Sequence, residues 1–272
     1  MATTRPVRLL QVTDPHLSGD PEREIYDVRT AESLRRVLAE ALGGGATPPD
    51  AILVTGDIGD DESEQAYRNF RGMLQGFGVP VLCLPGNHDA PRLMAQLLEG
   101  GGFQYCGRAG FGDWGIILLD THLPYDPSGY LAAPELARLD ADLHAFADSH
   151  VLVCLHHPPV PVGSAWLDGL GLRNHREFRA VIDRHPQVRA VLAGHVHQAF
   201  DQQHGRVRFL TTPSTCAQFT PQTVNCVMDM RPPGYRWLSL LPDGGIDTEV
   251  MWLRDWEPRA RPSDSRGGGM GP

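Results

Sequence analysis

The chain has 272 residues, 41% hydrophobic and 21% charged, the proportions of a globular protein able to bury a core without disulfides. Disorder as the main state is excluded, and no apolar run approaches the ~18–20 residues of a membrane-spanning helix. With 24 Lys and Arg against 33 Asp and Glu, a net charge of −9 repels nucleic-acid backbones and anionic membranes, while a small phosphate substrate stays compatible because a local metal charge outweighs a diffuse field.

Residues 7–12 are β-branched and aliphatic and predict a strand. A loop to about residue 28 leads into a helix, where Leu34, Val37, Leu38, Ala41 and Leu42 recur at helical spacing and Gly43-Gly44-Gly45 ends the run. A short apolar run at 51–55 predicts a second strand. Ala66, Tyr67, Phe70, Met73 and Leu74 predict a second helix. Strands follow at 79–84 and 115–119. Pro134 suits the first turn of a helix carrying Leu136, Leu139 and Leu143. A strand at 151–155, a helix marked by Phe178, Val181 and Ile182, and a strand at 190–193 complete the alternation.

All-apolar strands alternating with amphipathic helices imply a sheet covered on both faces. After Gln198 the pattern changes. Runs at 206–211, 224–230, 235–240 and 248–253 read as strands with no helix between them, and Pro242-Asp243-Gly244-Gly245 suits a hairpin. The C-terminal third is therefore expected to be antiparallel, a second sheet packed on the first. Residues 1–256 are expected to form a single domain and 257–272 a disordered tail. Cys83, Cys106, Cys154, Cys216 and Cys226 are odd in number and form no CxxC pair, so they are expected to be buried thiols in a reducing compartment. No signal-peptide pattern follows Met1, which makes the cytoplasm the expected location.

The metal-capable residues cluster just after predicted strands. Asp14 and His16 follow the first, Asp57 the second, Asn87 and His88 the third, His156 the fifth, and His195 and His197 the sixth. In open α/β sheets, ligands bind outside the carboxyl ends of the strands. Asp14/His16 and His195/His197 are two apart, so in extended backbone each pair points one way. Gly56, Gly86 and Gly194 precede ligands, where the chain must turn sharply or approach another group. The set holds oxygens and imidazoles but no thiolate, which suits Mn, Fe or Zn better than Ca or Cu(I). Seven donors exceed one ion and favour a two-metal site bridged by Asp57. Such a pair, ~3.5–4 Å apart, can hold a hydroxide and stabilise in-line displacement at phosphorus. Taken singly, each pair also fits a solvated loop or turn. Their order and placement after strands carry the metal reading.

Asp14-x-His16, Gly56-Asp57-x-x-Asp60, Gly86-Asn87-His88-Asp89, His156 and Gly194-His195-x-His197 resemble the five blocks of the calcineurin-like metallophosphoesterases. The stretch from His156-His157-Pro158-Pro159 to Trp166-Leu167-Asp168, then Leu172-Arg173-Asn174, Thr212-Pro213-Ser214-Thr215 through Phe219, and Pro233-Gly234-Tyr235-Arg236 are similar to the bacterial class III 3′,5′-cyclic AMP phosphodiesterases. The resemblance implies a four-layer α-β-β-α sandwich of two packed mixed sheets. It implies one ion on Asp14, His16, Asp57 and His197 and another on Asp57, Asn87, His156 and His195, either divalent or as a mixed-valence pair.

The resemblance also makes His88 the general acid at the leaving oxygen. Asp60 would orient it, although Asp61 is adjacent, and Asp89 would support the block. Asn87, His88 and His197 are the expected substrate contacts. Trp166 and Phe219 suit stacking on a purine or a plain core role. Arg173 and Asn174 suit phosphate or base contact, or simply a helix start. His157 is expected to be supporting and to face away from His156; His122, His144, His150, His175, His185 and His204 match no block. The implied reaction is hydrolysis of 3′,5′-cyclic AMP to 5′-AMP by a hydroxide bridging the two metals. The alternatives are acyclic diesters (such as glycerophosphodiesters) or monoesters on the same site, and a non-catalytic binding module, which the full ligand set argues against. Oligomeric state is not legible.

Overall fold

In the computed structural model, which describes residues 5–45 and 47–256, each buried apolar run becomes a strand. β1 (Val7–Val12) is followed by a small hairpin of β2 (Glu24–Ile25) and β3 (Val28–Arg29), with Tyr26 and Asp27 at its tip. α1 (Thr30–Leu42) buries Leu34, Val37 and Leu38 and closes at Gly43, whose N–H bonds back to the Ala39 carbonyl. β4 (Ala51–Thr55) is wholly buried. α2 (Glu64–Leu74) is capped by Ser63, whose hydroxyl accepts the Ala66 N–H. β5 (Val81–Leu84), α3 (Pro91–Leu97) and β6 (Phe103–Tyr105) follow.

The chain then crosses over. β7 (Gly107–Phe111), β8 (Trp114–Leu118), α4 (Ala133–Ala145), β9 (His150–Cys154), α5 (Ala165–Asp168), α6 (His175–Asp183), β10 (Val188–Ala193), β11 (Phe200–His204) and β12 (Val207–Thr211) come next. The short pair β13 (Gln218–Phe219) and β14 (Met228–Asp229) precedes the final hairpin of β15 (Gly234–Leu240) and β16 (Ile246–Trp252).

Two six-stranded sheets result, ordered β16-β15-β1-β4-β5-β6 and β11-β12-β10-β9-β8-β7. β1, β4, β5 and β6 are parallel, as are β8, β9, β10 and β12, with antiparallel strands at the margins. Alternate residues serve different layers. Leu53, Leu82, Ile116, Leu152, Leu192 and Leu238 fill the space between the sheets. Ile52 and Val54 face outward to α1, α2 and α3, while Val151, Val153 and Val191 face α4 and α6. The order helix, sheet, sheet, helix is the expected sandwich of two mixed sheets.

The C-terminal third does not form the second sheet. β12 enters that sheet parallel to β10, whereas β15 and β16 extend the first sheet from the outer edge of β1. Periodicity identifies a strand but not its partner, and the second sheet was already built from the middle of the chain. The run at 224–230 is a strand only at Met228–Asp229; Val224, Val227 and Met230 are exposed and lack a layer to pack on. The sequence reading passed over α3, β6, β7 and β11. β7 and β11 are half-exposed edge strands with little apolar signal. No helix among the described residues is long and apolar enough to cross a membrane. The expected tail at 257–272 lies outside the described residues.

Candidate metal centre

The ends of β1, β4, β5, β9 and β10 point to one rim, where the two sheets meet. Beyond β1 and β4 the loops keep bonding: Asp14, His16 and Leu17 donate N–H to the carbonyls of Gly56, Asp57 and Ile58 at 3.0, 2.9 and 2.8 Å. The backbone there is not extended. Asp14, His16, Asp57, His195 and His197 all have left-handed φ, between 47° and 70°. The i, i+2 pairs therefore converge through tight turns, not through strand alternation as the sequence reading supposed. Two glycines permit the crowding: a Cβ on Gly86 would lie 2.1 Å from Asp57 Oδ1, and one on Gly194 would lie 2.3 Å from Thr13 Oγ1.

All seven expected donors gather here. His16 Nε2 and His197 Nε2 are 3.2 Å apart, and His197 Nε2 lies 3.4 Å from Asp14 Oδ1. His156 Nε2 lies 3.2 Å from Asn87 Oδ1 and 3.3 Å from Asp57 Oδ2, which is also 3.8 Å from His16 Nε2. The His195 ring lies edge-on to His156, centroids 5.1 Å apart. Asp57 thus stands between an Asp14–His16–His197 group and an Asn87–His156–His195 group. His156 and His197 each direct Nδ1 to a backbone carbonyl, of Thr55 and Ala217, both at 2.7 Å. That arrangement leaves Nε2 facing the centre, the usual support for a metal-ligating imidazole.

The electrostatics call for positive charge. Burial pushes the Asp14 carboxyl upward, but the imidazoles of His197 and His156 outweigh it and hold it below the usual range. Burial also opposes ionisation of Asp57, and His156, His16 and His88 bring it well below. Burial lowers His156, yet Asp57 and Asp14 raise it to about 9. Burial and the neighbouring His156 push His195 down to about 3, so it is neutral. A proton on His156 is competing for the place a cation would take. The ligand atoms of Asp14, His16 and His197, of Asp14, Asp57 and His156, and of His156, His157 and His195 each form a set within 4.8 Å of one another, and the Asn87 amide oxygen lies 3.2 Å from His156 Nε2. His195 Nε2 is buried without a hydrogen-bond partner among the described residues. These residues fit two hard-to-borderline ions.

His88 is the exposed member, its side chain 45% accessible, with Nδ1 3.4 Å from Asp60 Oδ1. Asp60 also meets His16 Nδ1 at 3.4 Å and Arg23 at 2.9 Å. Asp61 faces away, accepting from Ser18, Gly19 and Ser63. Asp89 is buried and takes the N–H groups of Ile58, Gly59 and Gly86. His157 does not turn away as expected. Its ring packs on His156 and His195, centroids 4.8 and 4.7 Å away, with Nδ1 2.8 Å from Thr121 Oγ1.

His16, Asp57, Asp60, Asn87, His88, His195 and His197 open into a cavity of about 180 Å³ walled by Tyr26, Trp166 and Phe219. Phe219 stacks on His197, centroids 4.6 Å apart at 19°, and meets Trp166 and Tyr26 edge-on. Arg173 and Asn174 lie elsewhere: Arg173 pairs with Asp126, and Asn174 bonds both backbone groups of Leu131. His185 joins Asp140 and His144 in a separate cluster. Cys83, Cys154 and Cys216 are buried as expected, but Cys106 is half-buried and Cys226 exposed.

Sequence reasoning missed Tyr26, and it missed Gln11, Thr13 and Thr55, which bond to one another beneath Asp14. Polar residues closing otherwise apolar strands were the available signal.

The model of the calcineurin-like phosphoesterase family matches residues 7–199. The chain belongs to this family. Two divalent ions are the cofactors that the calcineurin-like phosphoesterases imply, and the donor set above accommodates them. Among relatives, the chain is 36% identical to the 3′,5′-cyclic adenosine monophosphate phosphodiesterase CpdA of Pseudomonas aeruginosa, over 93% of each protein. It is 39% identical to the protein of that name from Escherichia coli K12, over 92% of this chain and 90% of that one. A dimetal phosphatase from Danio rerio shares the fold, with a TM-score of 0.64 and 16% identity over 91% of this chain and 99% of the other.

Proposed function

We propose that this phosphoesterase hydrolyses 3′,5′-cyclic AMP to 5′-AMP. The observation that carries the reading is the convergence of Asp14, His16, Asp57, Asn87, His156, His195 and His197 at one rim, five of them opening with His88 into a cavity that has an aromatic wall, with Asp14 and His156 packed against them. The similarity to CpdA proteins over nine-tenths of the chain supports the cyclic substrate. Asp14, His16, Asp57 and His197 would hold one ion, and Asp57, Asn87, His156 and His195 the other. The ions, drawn from manganese, iron and zinc, supply Lewis-acid neutralisation of phosphoryl charge and acidify water.

The chain's own residues do the rest. A water gives up one proton to solvent and its oxygen bonds to phosphorus as the bond to O3′ breaks; His88 gives the departing O3′ its proton and recovers one from solvent. Asp60, 3.4 Å from His88 Nδ1, would hold that ring at the cavity both residues line and leave Nε2 as the nitrogen that donates. Asn87, His88 and His197 line the cavity and contact the phosphate. Tyr26, Trp166 and Phe219 give a purine an apolar surface. Five free thiols fit a reducing compartment, in keeping with a cytoplasmic site of action.

The test is a substrate panel with manganese- or iron-loaded protein: cyclic AMP, an aryl phosphodiester and an aryl phosphomonoester. The expected result is the highest kcat/KM on cyclic AMP with 5′-AMP as product. Turnover of the aryl esters without release of 5′-AMP would overturn the substrate.

A further inference from the structure

Arg236 is a cation inside the protein, only 3% exposed, on β15 beyond the segment the family model matches. Its hydrogen-bond partners are all neutral oxygens: the hydroxyls of Thr212 and Thr248 and the carbonyls of Phe200 and Thr211. Burial draws its guanidinium down to about 10, so it stays protonated at neutral pH. Asp201 acts on it only through space, and a buried charge that bonds directly to no carboxylate is costly to keep; its surroundings show what it serves.

Nε of Arg236 donates to Thr212 Oγ1 at 3.0 Å, and the Thr212 hydroxyl donates to Gln11 Oε1. Gln11 is the register partner of Arg236 across β1 and β15. Its amide nitrogen donates to Thr55 Oγ1 at 2.8 Å and to the Ala193 carbonyl at 3.3 Å, which fixes the amide's orientation. Thr55 Oγ1 donates to Thr13 Oγ1 at 2.8 Å, and Thr13 Oγ1 donates to Asp14 Oδ2 at 2.6 Å. Gln11, Thr13, Asp14, Thr55 and Thr212 are all completely buried. A guanidinium can only donate and a carboxylate only accept, so the two ends set the direction of every bond between them. Such chains polarise each link in the same sense.

We propose that Arg236 is a positioning residue for the metal centre, acting on Asp14 through this one-way relay. Thr13 occupies Asp14 Oδ2, and Oδ1 is the oxygen that lies 3.4 Å from His197 Nε2 and 3.9 Å from His156 Nε2. Without the relay, Thr13 is free to turn its hydroxyl to the Thr55 carbonyl, 3.3 Å away, and the Asp14 carboxylate keeps the His195 N–H, shared by both its oxygens at 3.1 Å, but loses the side-chain bond that holds Oδ2. The C-terminal hairpin thereby serves the rim from the edge of the sheet. The proposal rests on Asp14 being a metal ligand, as in the proposed function.

The test is manganese binding by calorimetry on metal-stripped full-length protein, with Mn EPR of the loaded forms. Thr212→Val cuts the relay at its first link and leaves the guanidinium its bonds to Thr248, Phe200 and Thr211, and Arg236→Lys keeps the charge but loses the planar donor fork. Each is expected to weaken manganese binding by about 10-fold, the low end for groups that orient metal ligands, and to alter the EPR spectrum. In a Thr13→Val background neither adds a further loss. Leu238→Ala, on the same strand, lowers the melting temperature with affinity and spectrum unchanged. The proposal is overturned if Thr212→Val and Arg236→Lys only lower the melting temperature, or if their effects add fully to that of Thr13→Val. Wild-type protein that binds manganese but does not cleave cyclic AMP would sink the substrate alone; the affinities would still decide the relay.

Discussion

Asp57 accepts the backbone N–H of His88 through Oδ1 at 2.9 Å while its Oδ2 faces His156 and His16. One carboxylate thus anchors both donor groups and the backbone of the proposed acid, whose ring leans out from the ligands. His88→Ala keeps that backbone bond. It should retain its metal by elemental analysis and lose roughly 10²–10⁴-fold in kcat. Asp57→Asn should lose metal and activity together. Metal loss on His88→Ala would contradict the division of roles.

Tyr26 stands at the tip of the β2–β3 hairpin, 55% exposed and edge-on to Phe219. An aromatic platform under a base contributes about 1–3 kcal/mol. Tyr26→Ala should therefore raise KM for cyclic AMP by roughly 10-fold and leave kcat/KM for an aryl diester unchanged. Equal losses on both substrates would mean that the residue shapes the rim without meeting a base.

Asp89 joins two ligand-bearing loops: Oδ2 accepts from Ile58 and Gly86, and Oδ1 accepts from Gly59 and the Tyr67 hydroxyl. Asp89→Ala strands these buried donors and should cost about 3 kcal/mol of stability by urea titration. Asn at this position turns an NH₂ against N–H donors, so it should rescue only part of the loss. Wild-type stability in the alanine variant would show that the loops hold without the tie.

Burial works against ionisation of Asp61, but hydrogen bonds from Gly19, Ser63 and Ser18 prevail and bring its carboxyl down to about 2 from 3.8. A depressed folded pKa stabilises above the unfolded value and is lost as pH falls through the folded one. The stability difference between wild type and Asp61→Asn should therefore be constant above about pH 5 and shrink toward pH 2. A difference that does not change with pH would refute this.

The seven donors were legible because chemistry restricts residue type and because each follows an apolar strand that needs no partner to be recognised. β1, β4, β9 and β10 were legible for the same reason, being buried on both faces. The placement of β12 was not, since a doubly buried strand reads alike in either sheet. Nor was the left-handed backbone of Asp14 and His195, because it arises from bonds to loops far away in sequence. Tyr26 escaped notice because a two-residue hairpin is too short to leave a period.

Five of the seven donors occupy a conformation that side chains with a Cβ ordinarily avoid, each at a cost of about 1–2 kcal/mol. Two neighbouring anions at the same rim add mutual repulsion. Whatever cation settles there counters both, so the ion belongs to the molecule's cohesion as much as to its reactivity. Chelation should accordingly lower the melting temperature markedly, and manganese should restore it in proportion to concentration. In a metal-starved cell, such a protein would disappear through unfolding as well as fall idle.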